Sequence, residues 1–355
     1  MNLLYAFGSA LKFETEDSTQ DVSLFKEIYK LDSDAWLVDR TKTVSFPFGE
    51  TLYKPYALPN NLNTDISFDD ACMRRAQELY AENKPLYIMW SGGIDSTSII
   101  TAFLKLGKPT DCITIVLNQD SIREYQIFYR THIRGRFKIM VTEEFMINIS
   151  SSVPVDGIIV SGEHADQLVG AMTVNSIMRA LGPEFMQAKF TADSFRKLFS
   201  AKQFSPQAIE CWYNVYSESF TGSPRPIETI YDFAWWHNFN FRWQGIGLKL
   251  YTRINKSADF RTFYSGSDFQ RWSSNHQPNL NDLDTLKQEP KQFILDYTKD
   301  QLYFDTKIKH PSTTLYYSRV SAAAIDTDLN KVPYDKFNLP NYVRMDNSIA
   351  KWITK

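Results

Sequence analysis

Cysteine is scarce in this chain. Cys72, Cys112 and Cys211 are the only three in 355 residues, and no Cys-x-x-Cys pair occurs. Three thiols cannot all pair, so a disulfide framework, a zinc ribbon and a redox dithiol are excluded and a reducing compartment fits. Long apolar runs are missing too: nothing approaches the roughly 18 consecutive apolar residues of a membrane span. The opening MNLLYAFGSALKF lacks a basic n-region followed by a long apolar stretch, so no secretion signal is expected and the cytoplasm is the default location. Neither sign of charge is in excess. The 39 basic and 41 acidic residues leave a net charge of −2, without the global positive field of a dedicated nucleic-acid binder. No G-x-S-x-G elbow is present, and the five histidines do not cluster, which removes serine-hydrolase and zinc catalysis.

What the chain does have is core-forming residues, 43% hydrophobic and 15% aromatic. That is ample for one large domain with an appendage, or for two closely packed ones. The most informative stretch is 85–107, PLYIMWSGGIDSTSIITAFLKLG. Pro85 to Trp90 is an unbroken apolar run, the pattern of a strand buried on both faces of a parallel sheet. Ser91 to Thr97 is a small-residue turn, and from Ile94 the apolar positions recur at helical spacing until Gly107, an expected C-cap. Strand, glycine turn and helix in that order present backbone N–H groups and a helix N-terminus to an anion. The turn has no following Lys and is not a Walker A loop, nor is it a G-x-G-x-x-G dinucleotide turn. Ser91, Ser96 and Thr97 offer hydroxyls, and Gly92 and Gly93 let the backbone approach closely. Asp95 beside a polyphosphate would repel it unless a cation lay between, so Asp95 is expected to be a Mg²⁺ ligand.

Flanking segments read as alternating strands and helices. Ser67 opens a helix with Asp70 three residues on and Phe68, Cys72, Ala76 and Leu79 on one stripe. Cys112–Leu117, Phe137–Val141 and Gly157–Val160 read as strands, 121–133 as a helix with Ile122, Tyr125, Phe128 and Tyr129 inward, and 144–149 as a short helix. This alternation predicts a doubly wound parallel sheet, whose ligands sit at the carboxyl ends of the strands. Residues 1–65 read as an irregular β-containing appendage, with short strands at 36–38 and 43–48. From 172 to 355 the period is mainly helical, and six of the eight tryptophans lie beyond residue 200, either as an aromatic core or as a platform for a flat substrate. The expected domains are therefore 1–65, 66–171 and 172–355.

A second strand-turn-helix runs from Asp156 through Ser161-Gly162-Glu163-His164-Ala165-Asp166-Gln167 to Gly170-Ala171. Here a resemblance becomes specific. Ser91 to Ser96 is similar to the SGG-x-DS signature of the ATP pyrophosphatase (PP-loop) superfamily, and 161–171 resembles the SGEG-(S/A)-DE-x-x-GG stretch of the asparagine synthetase synthetase domain, shared by the β-lactam synthetases. The resemblance spans about residue 66 to about 315 and is loose outside the two turns. It implies an adenine nucleotide α-hydrolase-like fold and an ATP-dependent ligase that adenylates a carboxylate, releases pyrophosphate and passes the acyl group to ammonia or an amine.

Position by position, the resemblance puts Ser91, Gly92, Gly93, Asp95 and Ser96 around the pyrophosphate and gives Mg²⁺ to Asp95 and Asp166. It sets the Leu117 backbone on the adenine, Gly162 close to the α-phosphate, and Glu163 near the acyl-adenylate as the base. His164 replaces a small residue and reads either as a proton carrier beside Glu163 or as a ring hydrogen-bonded within the turn; Gln167 and Ala171 also depart from the pattern. The family's basic segment aligns with Lys307-Ile-Lys309, with Lys309 facing the reacting centre and Lys307 as the fallback. Only about 65 residues precede the synthetase-like part and the second residue is Asn2, so no internal glutaminase is expected. Nitrogen would come from ammonia, an amine substrate or a separate amidotransferase. Two rivals remain: a PP-loop enzyme modifying a nucleotide or nucleic-acid base, with Arg130-Thr-His-Ile-Arg134-Gly-Arg136-Phe-Lys138 as its basic surface, and a non-catalytic ATP-binding remnant.

Overall fold

A computed structural model of the chain describes residues 39–43, 57–142, 153–200, 204–243, 246, 259–280 and 286–307. The backbone divides into two units. A sheet unit comprises Ile66–Glu163, Arg253–Phe269 and Asp284–Lys355, and a helical unit comprises Met1–Asp65, His164–Thr252 and Gln270–Leu283.

The sheet unit is α/β. Its strands are β1 (Leu86–Met89), β2 (Ile113–Leu117), β3 (Lys138–Val141), β4 (Ile158–Ser161) and β5 (Asp259–Thr262). They form one all-parallel sheet in the order β3-β2-β1-β4-β5, compatible with a doubly wound fold. In register, Ile88 of β1 lies between Ile115 of β2 and Val160 of β4. All three side chains are fully buried, as the apolar runs require. The chain goes from β1 to β2 on one side and later adds β4 on the other, so the winding reverses between β1 and β4, where such sheets leave a crevice at their carboxyl edge.

Helix α1 (Phe68–Ala81) starts as its sequence predicts: the Ser67 hydroxyl accepts from Asp70 N–H at 3.0 Å and donates to the Asp70 carboxylate at 2.8 Å. Phe68, Cys72, Ala76 and Leu79 are all buried. Helix α2 (Ile94–Lys105) follows β1 and ends at Gly107, whose φ of +64° is the left-handed conformation of a helix terminator. Two further helices, α4 (Gln288–Thr298) and α5 (Gln301–Thr306), return to this unit from late in the chain. Phe293 of α4 meets Phe68 edge-on at 5.9 Å between ring centroids.

Two features differ from the sequence expectation. The helix expected over 121–133 is broken: α3 (Gln119–Glu124) stops at Tyr125 (φ −146°, ψ 71°), and a short helix 126–128 runs into a π-helical turn, Tyr129–Ile133. The reason is tertiary. The Tyr125 ring stacks on Tyr303 at 3.9 Å and its hydroxyl donates to Asp300 at 2.9 Å, holding the residue out of the helix while all four expected inward side chains stay buried. Strand β5 falls in a region expected to be helical, and it joins the sheet unit rather than the C-terminal part. The expected elements at 36–38, 44–48 and 144–149 lie outside the described residues.

The helical unit is built on aromatics. Trp212, Trp235, Trp236, Trp243 and Trp272 are buried, which favours the core reading for these five. The Trp235 indole donates to Leu168 O and to Ser273 Oγ, and the Arg225 guanidinium lies 3.9 Å from its ring centroid. Arg40 ties the described N-terminal segment to this core, donating to Phe239 O at 2.7 Å and to Gln270 Oε1 at 2.6 Å with its guanidinium over Trp243. Among the described residues no helix is long and apolar enough to cross a membrane.

Candidate functional site

The turn after β1 is anchored at both ends. Trp90 N–H donates to Val116 O in the sheet, and the Trp90 indole donates to Thr97 Oγ1 at 3.1 Å, tying the strand end to the helix it feeds. Between them, two hydroxyls shape the backbone. Ser96 Oγ accepts from Ser91 N–H at 3.1 Å and lies 3.0 Å from Ser91 Oγ, which accepts from Gly93 N–H. Gly93 is the N-cap of α2 and has no side chain to cap it, so the first turn of a three-turn helix presents its N–H groups at the carboxyl edge of the sheet.

Gly92 has a φ of +77°, and a Cβ there would lie 2.6 Å from Glu124 Cβ. Only glycine fits this point, because the turn rests directly on α3. Helix α3 is itself fixed by a capping box in which Asn118 and Ser121 exchange hydrogen bonds.

Asp95 lies in the first turn of α2. Lys287, just before α4, places Nζ 2.6 Å from Asp95 Oδ1, with the lysine side chain 5% and the aspartate 24% exposed. Tyr264 donates to the Asp95 carbonyl at 2.8 Å. Burial, then the nearby Asp95 charge, pushes the Tyr264 phenol well above its ordinary value, so it remains a donor. Neither Lys287 nor Tyr264 was singled out in the sequence. Nothing in the local pattern distinguishes Lys287 among 39 basic residues, since its partner is 192 positions away.

The second turn lies against the first. A Cβ on Gly162 would lie 3.4 Å from Ser96 N and 3.5 Å from Asp95 Cβ, so the ends of β1 and β4 bring Ser91–Ser96 and Ser161–Gly162 together at the winding reversal. Glu163 N–H donates to Ser161 Oγ, and Glu163 is half-buried as the last residue of this stretch of the sheet unit. Leu117 ends β2, fully buried, with its carbonyl accepting from Thr142 N–H at 3.0 Å. Lys307 pairs with Glu124; Lys309 lies outside the described residues. The basic stretch 130–138 leads into the amino end of β3, the opposite edge of the parallel sheet from these turns.

His164 and Asp166 belong to the helical unit. His164 has a φ of +71°, its buried Nε2 lies 3.0 Å from Trp243 O, and its ring stacks on Trp243 at 4.4 Å. Burial, partly opposed by that hydrogen bond and reinforced by Arg40, lowers its pKa to about 3. The ring is thus a neutral donor to a carbonyl. Asp166 stands half-buried in the first turn of the helix Ala165–Val169, and Gln167 beside it is buried.

A measurable consequence follows from His164. Its folded pKa lies below the ordinary 6.5, so its contribution to stability is complete above pH 6.5 and is lost as pH falls from there towards 3. Unfolding free energies from urea titrations between pH 6.5 and 4.5 are expected to decline in the wild type by up to about 1.4 kcal/mol per pH unit from this ring, and less steeply in His164→Gln. Equal slopes in the two proteins would show that the ring titrates normally.

Among the described residues no group of three or more His, Cys, Asp or Glu side chains could hold a metal on its own. The donor set suits Mg²⁺, which takes one or two carboxylates and completes its shell with phosphate oxygens and water. Asp95, in the first turn of α2, would supply one such carboxylate. Compared with known protein families and with characterised proteins, the sequence matches none.

Proposed function

We propose that this chain is an ATP-dependent, AMP- and pyrophosphate-forming amide ligase of the asparagine synthetase-like type, on a doubly wound, adenine nucleotide α-hydrolase-like sheet. The observation that carries the reading is the apposition of the Ser91–Ser96 and Ser161–Gly162 turns at the winding reversal, with the Asp95–Lys287 pair between strand end and helix start. A helix N-terminus, two serine hydroxyls and a lysine suit a polyphosphate; a carboxylate among them suits the cation that travels with it.

In this scheme a substrate carboxylate attacks the α-phosphorus of ATP and pyrophosphate leaves. The nitrogen of ammonia or an amine then attacks the acyl carbonyl, its proton goes to Glu163, and AMP departs. Asp95 would hold the Mg²⁺ that neutralises charge on the leaving pyrophosphate. Ser91, Gly92, Gly93 and Ser96 orient that group, Gly162 lets the α-phosphate approach the backbone, and Leu117 borders the adenine. Lys287 takes the electrostatic role that the family resemblance gave to Lys309, because its ammonium already stands at the turn and can pass from Asp95 to phosphate as the metal arrives. His164, neutral and bonded to a backbone carbonyl, has no part in the proton transfer, and the base role rests on Glu163. The basic stretch 130–138 lies at the far edge of the sheet from these turns, which supports small substrates over a nucleic-acid base.

The products decide. Purified protein incubated with MgATP and panels of carboxylates and amines is expected to release AMP and pyrophosphate in step with an amide detected by mass spectrometry. ADP and phosphate without AMP would overturn the assignment.

A further inference from the structure

Two lysines from one stretch of chain, 286–307, flank the Ser91–Ser96 turn, and they stand in different relations to it. Lys287 faces Asp95, a carboxylate 24% exposed, so a cation arriving from solvent can take the aspartate and free the lysine. Lys307 pairs instead with Glu124, and the two side chains are only 6% and 10% exposed. The Glu124 stem lies directly under the turn: a Cβ on Gly92 would lie 2.6 Å from its Cβ and 2.9 Å from its Cγ. Both partners are held from behind. Glu124 closes α3, started by the Asn118–Ser121 capping box, and Lys307 follows α5, whose N-cap Asp300 receives the Tyr125 hydroxyl while Tyr125 stacks on Tyr303.

A carboxylate sealed beneath an anion-binding turn would cancel much of the potential that the backbone N–H groups and the α2 dipole create, and salt screens a buried charge poorly. Lys307 removes that penalty. We propose that Glu124 and Lys307 form a charge-setting pair beneath the turn: Lys307 neutralises Glu124 without itself meeting phosphate, and the net charge of the pair fixes the affinity of the site for the polyphosphate leaving group. The proposal rests on the nucleotide reading above and assigns the two lysines distinct tasks, with Lys287 meeting the phosphate and Lys307 tuning the site.

The signs of the mutational effects separate this from a merely structural role. Glu124→Gln keeps the stem that supports Gly92 and deletes one negative charge. Burial lowers Lys307 to about 7 with Glu124 in place, and loss of the carboxylate lowers it further, so the comparison is made at pH 5, where the ammonium keeps its charge and the pair gains a net positive charge. Calorimetric titration with inorganic pyrophosphate, wild type and variant at the same pH so that the ligand's own ionisation cancels, is expected to show binding tightened about fivefold in Glu124→Gln. A structural residue would give weaker binding. The double variant Glu124→Gln/Lys307→Met restores a neutral pair and is expected to bind within about twofold of wild type. Unchanged or weaker binding in Glu124→Gln overturns the proposal. So does a tenfold loss in the double variant at an unchanged melting temperature, which would mean that Lys307 touches the phosphate. Wild-type protein that binds neither pyrophosphate nor MgATP overturns the nucleotide reading and this proposal with it; wild-type binding without the Glu124→Gln gain overturns the pair's role alone.

Discussion

Gly92→Ala is expected to destabilise the protein by about 3 kcal/mol and to lower ATP affinity at least about 100-fold, whereas Gly93→Ala should leave stability nearly unchanged. The two glycines are adjacent but conformationally unlike. Gly92 sits at φ +77°, and its missing Cβ would strike Glu124 Cβ at 2.6 Å. Gly93 has φ −76° and ψ 167°, ordinary extended backbone, and a Cβ there would find only Ser91 Oγ at 3.3 Å. An alanine at 92 must therefore adopt a left-handed conformation and also push the turn off α3, shifting the very N–H groups that would receive the phosphates. Denaturant titration and ATP binding measured on both variants test this together. Equal stability of the two variants would mean that the turn does not rest on α3.

The second large effect concerns Asp95 and Lys287. Asp95→Asn and Lys287→Met are each expected to reduce ATP–pyrophosphate exchange about 1,000-fold, since each removes a charge that the proposed reaction sets against the leaving group. Their effects on stability should differ. Lys287 is 5% exposed, so replacing the aspartate removes a negative charge facing an ammonium in a nearly dry place, at a cost of about 3 kcal/mol. Asp95 is 24% exposed and lies in the first turn of α2, where the helix dipole favours negative charge. Losing the lysine should therefore cost only about 1 kcal/mol. Thermal unfolding of the variants without nucleotide gives the order; a lysine variant less stable than the aspartate variant would contradict the exchange of partners proposed for Asp95.

The parts of this site that could be read from the sequence are those whose signal is local. The burial of β1, the glycine turn and the start of α2 are all encoded within the 23 residues 85–107, and the second turn lies within 156–171. The strand-and-helix alternation was enough to announce a parallel sheet because apolar runs such as Ile113–Leu117 have no other home. What escaped is non-local or weakly patterned. Asp-Phe-Arg-Thr at 259–262 is a four-residue edge strand without an apolar run, recognisable only by its pairing with β4. The break at Tyr125 overrides a helical pattern through a ring nearly 180 positions away, since Tyr303 supplies the stacking partner. Lys287 and Glu124 acquire meaning only when the chain is folded, because a lysine's reach and a glutamate's burial leave no periodicity behind.

The late return of residues 286–307 to the sheet unit gives the site a history during synthesis. The first four strands and the Gly92 turn leave the ribosome well before Lys287, which follows Asp95 by 192 residues, or about 10–40 s at typical elongation rates. Through that interval the nascent turn carries Asp95 and Glu124 with neither lysine yet made, so two carboxylates stand against its N–H groups without their cationic partners. The charge balance of the turn is therefore completed only when the far end of the chain comes home.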